Sequence, residues 1–303
     1  MFKYSLRQLE YFAKTAETLS LAVAARELHI SQPSISTAIT KLEDGLDVQL
    51  FKRHHAQGVS LTSAGARLLI EVKALLSHSE DLQQSALGLA TQMRGRLHIG
   101  CFGPISALYL PSIITGFQAL YPEVELNLYE ADTDTLLSGI EENRYDVALV
   151  YQLDVPTSMK SETLLNLKPH VIVAPDHPLA NQGTVSLKAL AKHSMVLLDL
   201  PRSREYFSSL FEAHNLTPTV SMRSPSFETV RSLVANGAGF SVLVTRPTHN
   251  TCYDGKKVVQ LEFSDDIPLT TIVLVHSNNT RQTRLHSTFV AYCQSQFALL
   301  TQT

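Results

Sequence analysis

The chain has 303 residues, 44% of them hydrophobic and 17% charged, enough for about two domains with well-buried cores and too apolar for a disordered chain. Its formal net charge is −3, so the molecule as a whole carries no electrostatic signature of nucleic-acid binding. Three widely spaced cysteines, Cys101, Cys252 and Cys293, exclude a disulfide scaffold or zinc ribbon and fit a reducing compartment.

Residues 1–20 carry Lys3, Arg7, Glu10, Lys14 and Glu17 and so hold no secretory core, and no apolar run is long enough to span a bilayer. A cytoplasmic protein is expected. Leu6, Leu9, Phe12, Ala13 and Ala16 recur at helical spacing and predict a first helix over 6–17. Ser20 is placed to cap a second helix, 21–28, burying Ala22, Ala25 and Leu28. Ser31 precedes a third, with Pro33 in its first turn, where a missing N–H does no harm. Ile35, Ala38, Ile39 and Leu42 form its inward stripe. Two short helices around a tight break make a helix-turn-helix.

Gln32, Ser34, Ser36, Thr37 and Thr40 lie off that stripe. A helix entering a major groove needs short donors and acceptors near its start. Gln pairs with adenine at two points, Ser and Thr bond bases or phosphates, and the Thr methyl touches thymine. Ser31, Gln32, Pro33, Ser34, Ser36, Thr37, Thr40 and Lys41 are therefore the candidate DNA-contacting residues. The competing reading is a small helical bundle whose serines are merely solvated.

Leu50-Phe51-Lys52-Arg53-His54-His55-Ala56-Gln57-Gly58-Val59-Ser60-Leu61-Thr62 reads as a β-hairpin wing, adding Arg53, His54 and His55 to the candidates. Residues 1–60 hold seven Lys/Arg (3, 7, 14, 26, 41, 52, 53) and six Asp/Glu (10, 17, 27, 43, 44, 47), a net of +1. So weak a field needs two or more copies on one duplex. Leu68, Val72, Leu75, Ser79, Leu82, Ala86, Leu89 and Met93 alternate four and three apart, a heptad seam that predicts a dimerising helix.

Ala24-Ala25-x-x-Leu28-x-Ile30-Ser31-Gln32-Pro33-Ser34-Ile35-Ser36, then Ile39-x-x-Leu42-Glu43, Leu50-Phe51-x-Arg53 and Leu61-Thr62-x-Ala64-Gly65 resemble the DNA-binding domain of LysR-type transcriptional regulators. The resemblance implies that Gln32, Pro33 and Ser36 meet the major groove and that Arg53 is the wing arginine. It also implies a homo-oligomer, a dimer of dimers, with RNA polymerase as a candidate partner. Thr37 stands where many members carry a base-reading arginine, and Asp47 where glycine is commoner.

From Leu97 strands and helices alternate: strands at 97–102, 124–129, 147–151, 171–173, 195–198, near 220, 239–243 and 269–275, with helices between them and a last helix over 284–297. This predicts parallel α/β sheets with right-handed crossovers. The fold class is thus α/β with an all-α N-terminal part: a winged helix-turn-helix (1–62), a linker helix (63–94) and an effector domain (95–303). The resemblance makes the last periplasmic-binding-protein-like, with subdomain I over 95–168 and 272–303 and subdomain II over 169–271. The chain is expected to cross between them near 163–173 and 268–276.

Ligands in such sheets bind beyond the carboxyl ends of the strands, at helix starts. Phe102, Gly103, Pro104, Ile105 and Ser106 follow one strand and Thr133 another; Pro201, Arg202, Ser203, Arg204, Ser226 and Phe227 begin helices in subdomain II. Phe102 and Tyr151 supply an apolar wall. No acidic residue lies in 200–204, so Arg202 and Arg204 read as unpaired, and a small organic anion is the expected effector. The opposing view makes Ser106, Thr133, Ser203 and Ser226 helix caps and the arginines solvated. Cys101 sits in the expected cleft with no neighbour in sequence to resolve a disulfide, which argues against redox sensing. No spacing suits a metal, no catalytic or nucleotide-binding motif is present, and no cofactor or membrane partner is expected. The leading reading is a bacterial one-component transcription regulator that binds double-stranded DNA and a small effector. The alternative is a cytoplasmic solute-binding protein or small-molecule enzyme with a helical appendage.

Overall fold

The computed structural model describes residues 3–54, 58–86, 93–153, 155–278 and 283–300. The chain forms two compact units, Met1–Gly95 with Asn278–Ser287, and Arg96–Ser277 with Thr288–Thr303. In the first, α1 (Leu6–Thr18), α2 (Leu21–Glu27) and α3 (Gln32–Leu46) precede a hairpin of β1 (Phe51–His54) and β2 (Gly58–Leu61), then the long α4 (Ser63–Ala86). Each short helix begins on a serine. Ser5, Ser20 and Ser31 accept the N–H groups of Gln8, Val23 and Ser34, taking up donors that the first turn leaves free.

The core holds Leu9, Phe12, Ala13 and Ala16 of α1, Ala24 and Ala25 of α2, Ile35, Ile39 and Leu42 of α3, with Leu50, Phe51, Val59 and Val72. Two expected core positions shift. Ala22 is exposed and Ala24 takes its place, while Ala38 is only half-buried. In α2 the inward row therefore runs through 24, 25 and 28, with Leu28 packed against the core. Asp47 ends α3 with φ 54°, left-handed. Aspartate tolerates that conformation, so the turn forms without glycine at this position.

The expected heptad seam divides. Val72 is buried in the core of this unit, and Leu68, Leu69 and Leu76 pack against it. Leu75 and Leu82 remain 41% and 71% exposed. Leu89 lies outside the described residues.

The second unit carries two sheets. The first contains β3 (Gly95–Phe102), β4 (Val124–Ala131), β5 (Val147–Tyr151), β6 (Met159–Leu167) and β13 (Thr270–Ser277), with α5 (Gly103–Leu120) and α6 (Thr133–Glu141) between its early strands. The second is built from β7 (His170–Val173), β8 (Thr184–Val185), β11 (Ser241–Leu243) and β12 (Val259–Phe263), with the short α7 (Leu187–Leu190) after β8. Beside it lies the parallel pair β9 (Ser194–Leu198) and β10 (Thr219–Ser224), with α8 (Pro201–Glu212) and α9 (Phe227–Ala235) following them. The remaining elements are β11 (Ser241–Leu243), β12 (Val259–Phe263), β13 (Thr270–Ser277) and α10 (Arg284–Leu300).

The sheet orders are β4-β3-β5-β13-β6 and β11-β7-β12-β8. β3 and β5 are parallel, as expected, but β13 runs antiparallel to both β5 and β6, so the sheet is mixed rather than parallel. β6 and β13 pair from Thr270 opposite Leu167 to Ser277 opposite Met159. The chain leaves the first sheet after Leu167, enters the second at His170, and returns between Phe263 and Thr270. The outward crossing falls within the expected 163–173, whereas the return comes earlier than the expected 268–276, most of which is β13 (Thr270–Ser277) itself. β6 and β12 were not anticipated at full length, because Lys160, Ser161 and Glu162 break the apolar run of β6, and β12 has only Leu261 and Phe263 fully inside.

Gly65, in the first turn of α4, lies against the Leu50 carbonyl, where a Cβ would collide. Gly65→Ala is expected to lower the stability of this unit by about 1–3 kcal/mol, read as a lower denaturant midpoint for its transition in the full chain.

Candidate functional site

The outward face of α3 begins at its cap. The Ser31 and Ser34 hydroxyls lie 2.7 Å apart, and Ser31 Oγ accepts the Ser34 N–H at 3.3 Å. Both serines are thus engaged in starting the helix. Gln32, Pro33, Thr37, Thr40 and Lys41 are exposed and Ser36 half-exposed, and the first turn holds no acidic residue. Arg53 of β1 donates from Nη2 to Thr40 Oγ1 at 3.1 Å, fixing the wing arginine against the recognition face. His54 Nε2 meets Ser60 Oγ across the hairpin at 2.8 Å. His55 lies outside the described residues. Gly58 opens β2 at φ 88°, backed by the Leu19 carbonyl.

The position of this face depends on Glu43, which the sequence reading did not single out as functional. Its Oε1 accepts the N–H groups of Leu50 at 2.7 Å and Phe51 at 3.1 Å, tying the end of α3 to the first wing strand.

In the second unit the helix starts differ from expectation. α5 is capped by Phe102 and α8 by Leu200, neither with a side-chain bond, and α6 by Asp132. Of Ser106, Thr133, Ser203 and Ser226, only Ser226 is a cap, accepting the Thr229 N–H at 3.3 Å. Pro104 and Pro201 sit in the first turns of α5 and α8 and start both helices early. Ser106 and Ser203 therefore fall inside the helices, and Thr133 opens α6 one residue after its cap. Thr133 and Ser203 are buried, as are Phe102, Pro104 and Ile105. Phe102 and Tyr151 form an edge-to-face pair with ring centroids 5.6 Å apart.

The arginines are not unpaired. Arg202 donates from Nε to Asp134 Oδ1 at 2.7 Å and from Nη1 to the Leu153 carbonyl at 3.0 Å. Arg204 Nε lies 2.5 Å from Asp199 Oδ1, which also stands 3.7 Å from Arg223. A search of 200–204 missed Asp199 by one residue and Asp134 by 66, so the pairing was not legible there. Pro201, Arg204 and Ser226 are exposed, while Gly103, Ser106, Arg202 and Phe227 are intermediate.

The three cysteines are buried. Desolvation is the leading cause that raises each thiol, Cys293 up to about 12 and Cys101 further. Thiols held so far from the thiolate are poor nucleophiles. Cys293 is the smallest of the influences that raise Cys101, after burial and Glu130, so the two thiols are neighbours that sequence distance concealed. Among the described residues no cluster of His, Cys, Asp and Glu is arranged to hold a metal, and no helix is long and apolar enough to cross a membrane.

Residues 6–66 match the family model "Bacterial regulatory helix-turn-helix protein, lysR family", and residues 90–298 match "LysR substrate binding domain". The chain is 33% identical over 242 residues to the HTH-type transcriptional regulator CfxR of Cupriavidus necator, covering 79% of this chain and 75% of that one. It is 28% identical over 278 residues to a hydrogen peroxide-inducible genes activator of Pectobacterium carotovorum, covering 88% and 92%. Among solved structures, HinK, a LysR family transcriptional regulator from Pseudomonas aeruginosa, is 40% identical with a TM-score of 0.66, over 98% of this chain and 99% of that one. The chain belongs to the LysR family of DNA-binding transcriptional regulators, which are not enzymes.

Asp132 provides a test of the local electrostatics. Desolvation raises its pKa, but bonds from the Thr135 N–H (2.9 Å) and Oγ1 (2.8 Å) outweigh it and leave the carboxyl below its usual range. A carboxyl depressed on folding stabilises above its unfolded pKa of about 3.9, and that contribution is lost as pH falls through the folded value. Asp132→Ala is expected to cost about 1 kcal/mol at pH 7. The difference from the parent should shrink in denaturant titrations taken below about pH 4.

Proposed function

We propose that the protein regulates transcription as an oligomer on a pseudo-palindromic DNA site. In this reading residues 1–62 bind DNA, 63–94 pair two chains, and 95–303 bind a small organic effector between subdomains I and II. The observation that carries the DNA assignment is the exposed outer face of α3, whose first turn holds no acidic residue, with Arg53 fixed beside it by Thr40. Gln32, Ser36, Thr37 and Thr40 are the base-facing candidates. Lys41, Arg53 and His54 face phosphate, and Ser31, Pro33 and Ser34 set the start of the helix.

Pairing is supported by Leu75 and Leu82, which stay outward on α4 after Val72 has turned into its own core. One pairing gives a dimer, and the family resemblance extends this to a dimer of dimers that presents RNA polymerase with a fixed assembly. Such a regulator works beside the chromosome, in the cytoplasm. Around the expected effector position stand the Phe102–Tyr151 wall, Ser106 and the Arg202–Asp134 pair. The expectation of an anionic effector rested on free arginines. With Arg202 and Arg204 both engaged, what supports an anion is reduced to the uncapped starts of α5 and α8. A peroxide-sensing reading draws no support from Cys101, whose burial holds it as a thiol.

Gln32→Ala should weaken binding to the specific operator by about 1–3 kcal/mol and leave random duplex nearly unaffected. An equal loss on both, in gel-shift or anisotropy titrations, removes Gln32 from base reading. Leu75→Asp with Leu82→Asp should yield a smaller species by sedimentation and weaker operator binding, because charges in a buried seam are costly to desolvate. Unchanged size would assign those leucines to another surface.

A further inference from the structure

Thr40 and Arg53 are both exposed, and Arg53 Nη2 donates to Thr40 Oγ1 at 3.1 Å. The bond joins α3 to β1, and the strand itself aims the arginine at the helix. Alternate residues of a strand share a face, so Arg53 lies on the face of Phe51. Leu61 stands opposite Phe51, and Val59 opposite Arg53. Phe51 and Val59 are buried, which makes this the inner face of the wing. Lys52 and His54 occupy the other.

The helix meets that face with one side. Thr40 and Glu43 are three residues apart and neighbours on the helix surface. Glu43 takes the Leu50 and Phe51 N–H groups, and Thr40 takes the side chain two residues further along the strand. Three residues of helix rise about 4.5 Å and two of strand about 6.6 Å, so both holds suit one strand running back along α3. The arginine is therefore placed by the same framework that fixes the wing backbone.

The chemistry of the partner matters as much as its position. Arg202, Arg204, Arg231 and Arg246 each sit on a carboxylate. Among the described residues no carboxylate pairs with Arg53, which is held by a neutral hydroxyl. A hydroxyl orients a guanidinium without neutralising it, and leaves its other N–H donors for a second partner. Gln32, Ser36 and Thr37 differ from Thr40: their side chains make no hydrogen bond among the described residues and stay open to base edges.

The geometry points to Thr40 as a positioning residue, whose hydroxyl presets Arg53 so that the wing's charge meets a phosphate beside the bases that α3 reads. This rests on the reading that α3 and the wing bind DNA, and it takes Thr40 out of the base-facing group. An unheld arginine loses rotamer freedom when it settles on a phosphate, and one already held loses less. Phosphate contacts carry no sequence information directly, so the Thr40 bond strengthens binding to any duplex.

The test uses the full chain and two duplexes, one of random sequence and one selected from a random pool by the parent protein. Thr40→Val keeps the side-chain shape, removes the hydroxyl and changes no buried residue. It is expected to weaken binding to both duplexes alike, about three- to tenfold, with an unchanged salt slope because no charge is lost. In an Arg53→Ala background the same substitution should change affinity by less than about twofold. Thr40→Ser, which restores the hydroxyl, should bind like the parent. A loss confined to the selected duplex would return Thr40 to base reading, and a loss that persists without Arg53 would make it a direct contact. Either result overturns the proposal and leaves the DNA reading standing, as does a Thr40→Ser protein that binds no better than Thr40→Val. A parent that binds neither duplex brings down both.

Discussion

Glu43 bonds two successive backbone N–H groups, those of Leu50 and Phe51, from the last turns of α3. Leu50 and Phe51 are both core residues, and Phe51 packs on Phe12 with ring centroids 5.4 Å apart. The same stretch is held from the other side: the Thr62 hydroxyl donates to the Gln49 carbonyl at 2.7 Å, and the Thr62 N–H to Leu50 O at 2.9 Å. Gly65 then allows α4 to pass against that carbonyl. Recognition helix, wing and linker helix thus share one short segment of backbone. A groove-binding surface needs its contacts held within fractions of an ångström, and here the constraint is carried by hydrogen bonds to a buried strand rather than by the exposed residues that meet DNA.

That division explains what the sequence made legible. Caps and stripes are local, so Ser20, Ser31, Pro33 and the Ile35–Ile39–Leu42 row were readable from spacing alone. So were the outward residues of α3, as what remained. Ala22 and Ala24 could not be told apart, because a two-turn helix of small residues has no strong apolar side to orient it. The heptads misled in part for a related reason: a seam of leucines and valines records that a face is covered, not by what. Val72 is covered by its own unit, whereas Leu75 and Leu82 are not.

In the second unit the errors arise from non-local partners. The opposing view of Ser106 and Ser203 as caps rests on a sound local signal, a hydroxyl near a helix start, but a proline two residues earlier sets φ and moves the start. Arg202 and Arg204 were read as free because their carboxylates lie in other elements, Asp134 on α6 and Asp199 at the end of β9. Charge counted within a window says little about charge in space.

The Arg202 contacts bear on how such a domain could respond. Arg202 belongs to α8, beyond the crossing strands, while Asp134 and the Leu153 carbonyl belong to the segment before them. One guanidinium therefore joins both halves of the second unit, and the phenol oxygen of Tyr206 on the same helix accepts from Thr270 Oγ1 at 2.9 Å, at the return crossing. A ligand shifts an equilibrium only by the difference in its affinity for the two states. With the arginine already satisfied, an effector that merely replaced Asp134 would exchange one charged bond for another and shift little. Discrimination must come from groups that are poorly satisfied in the resting protein. The paired arginines at the edge do not meet that condition.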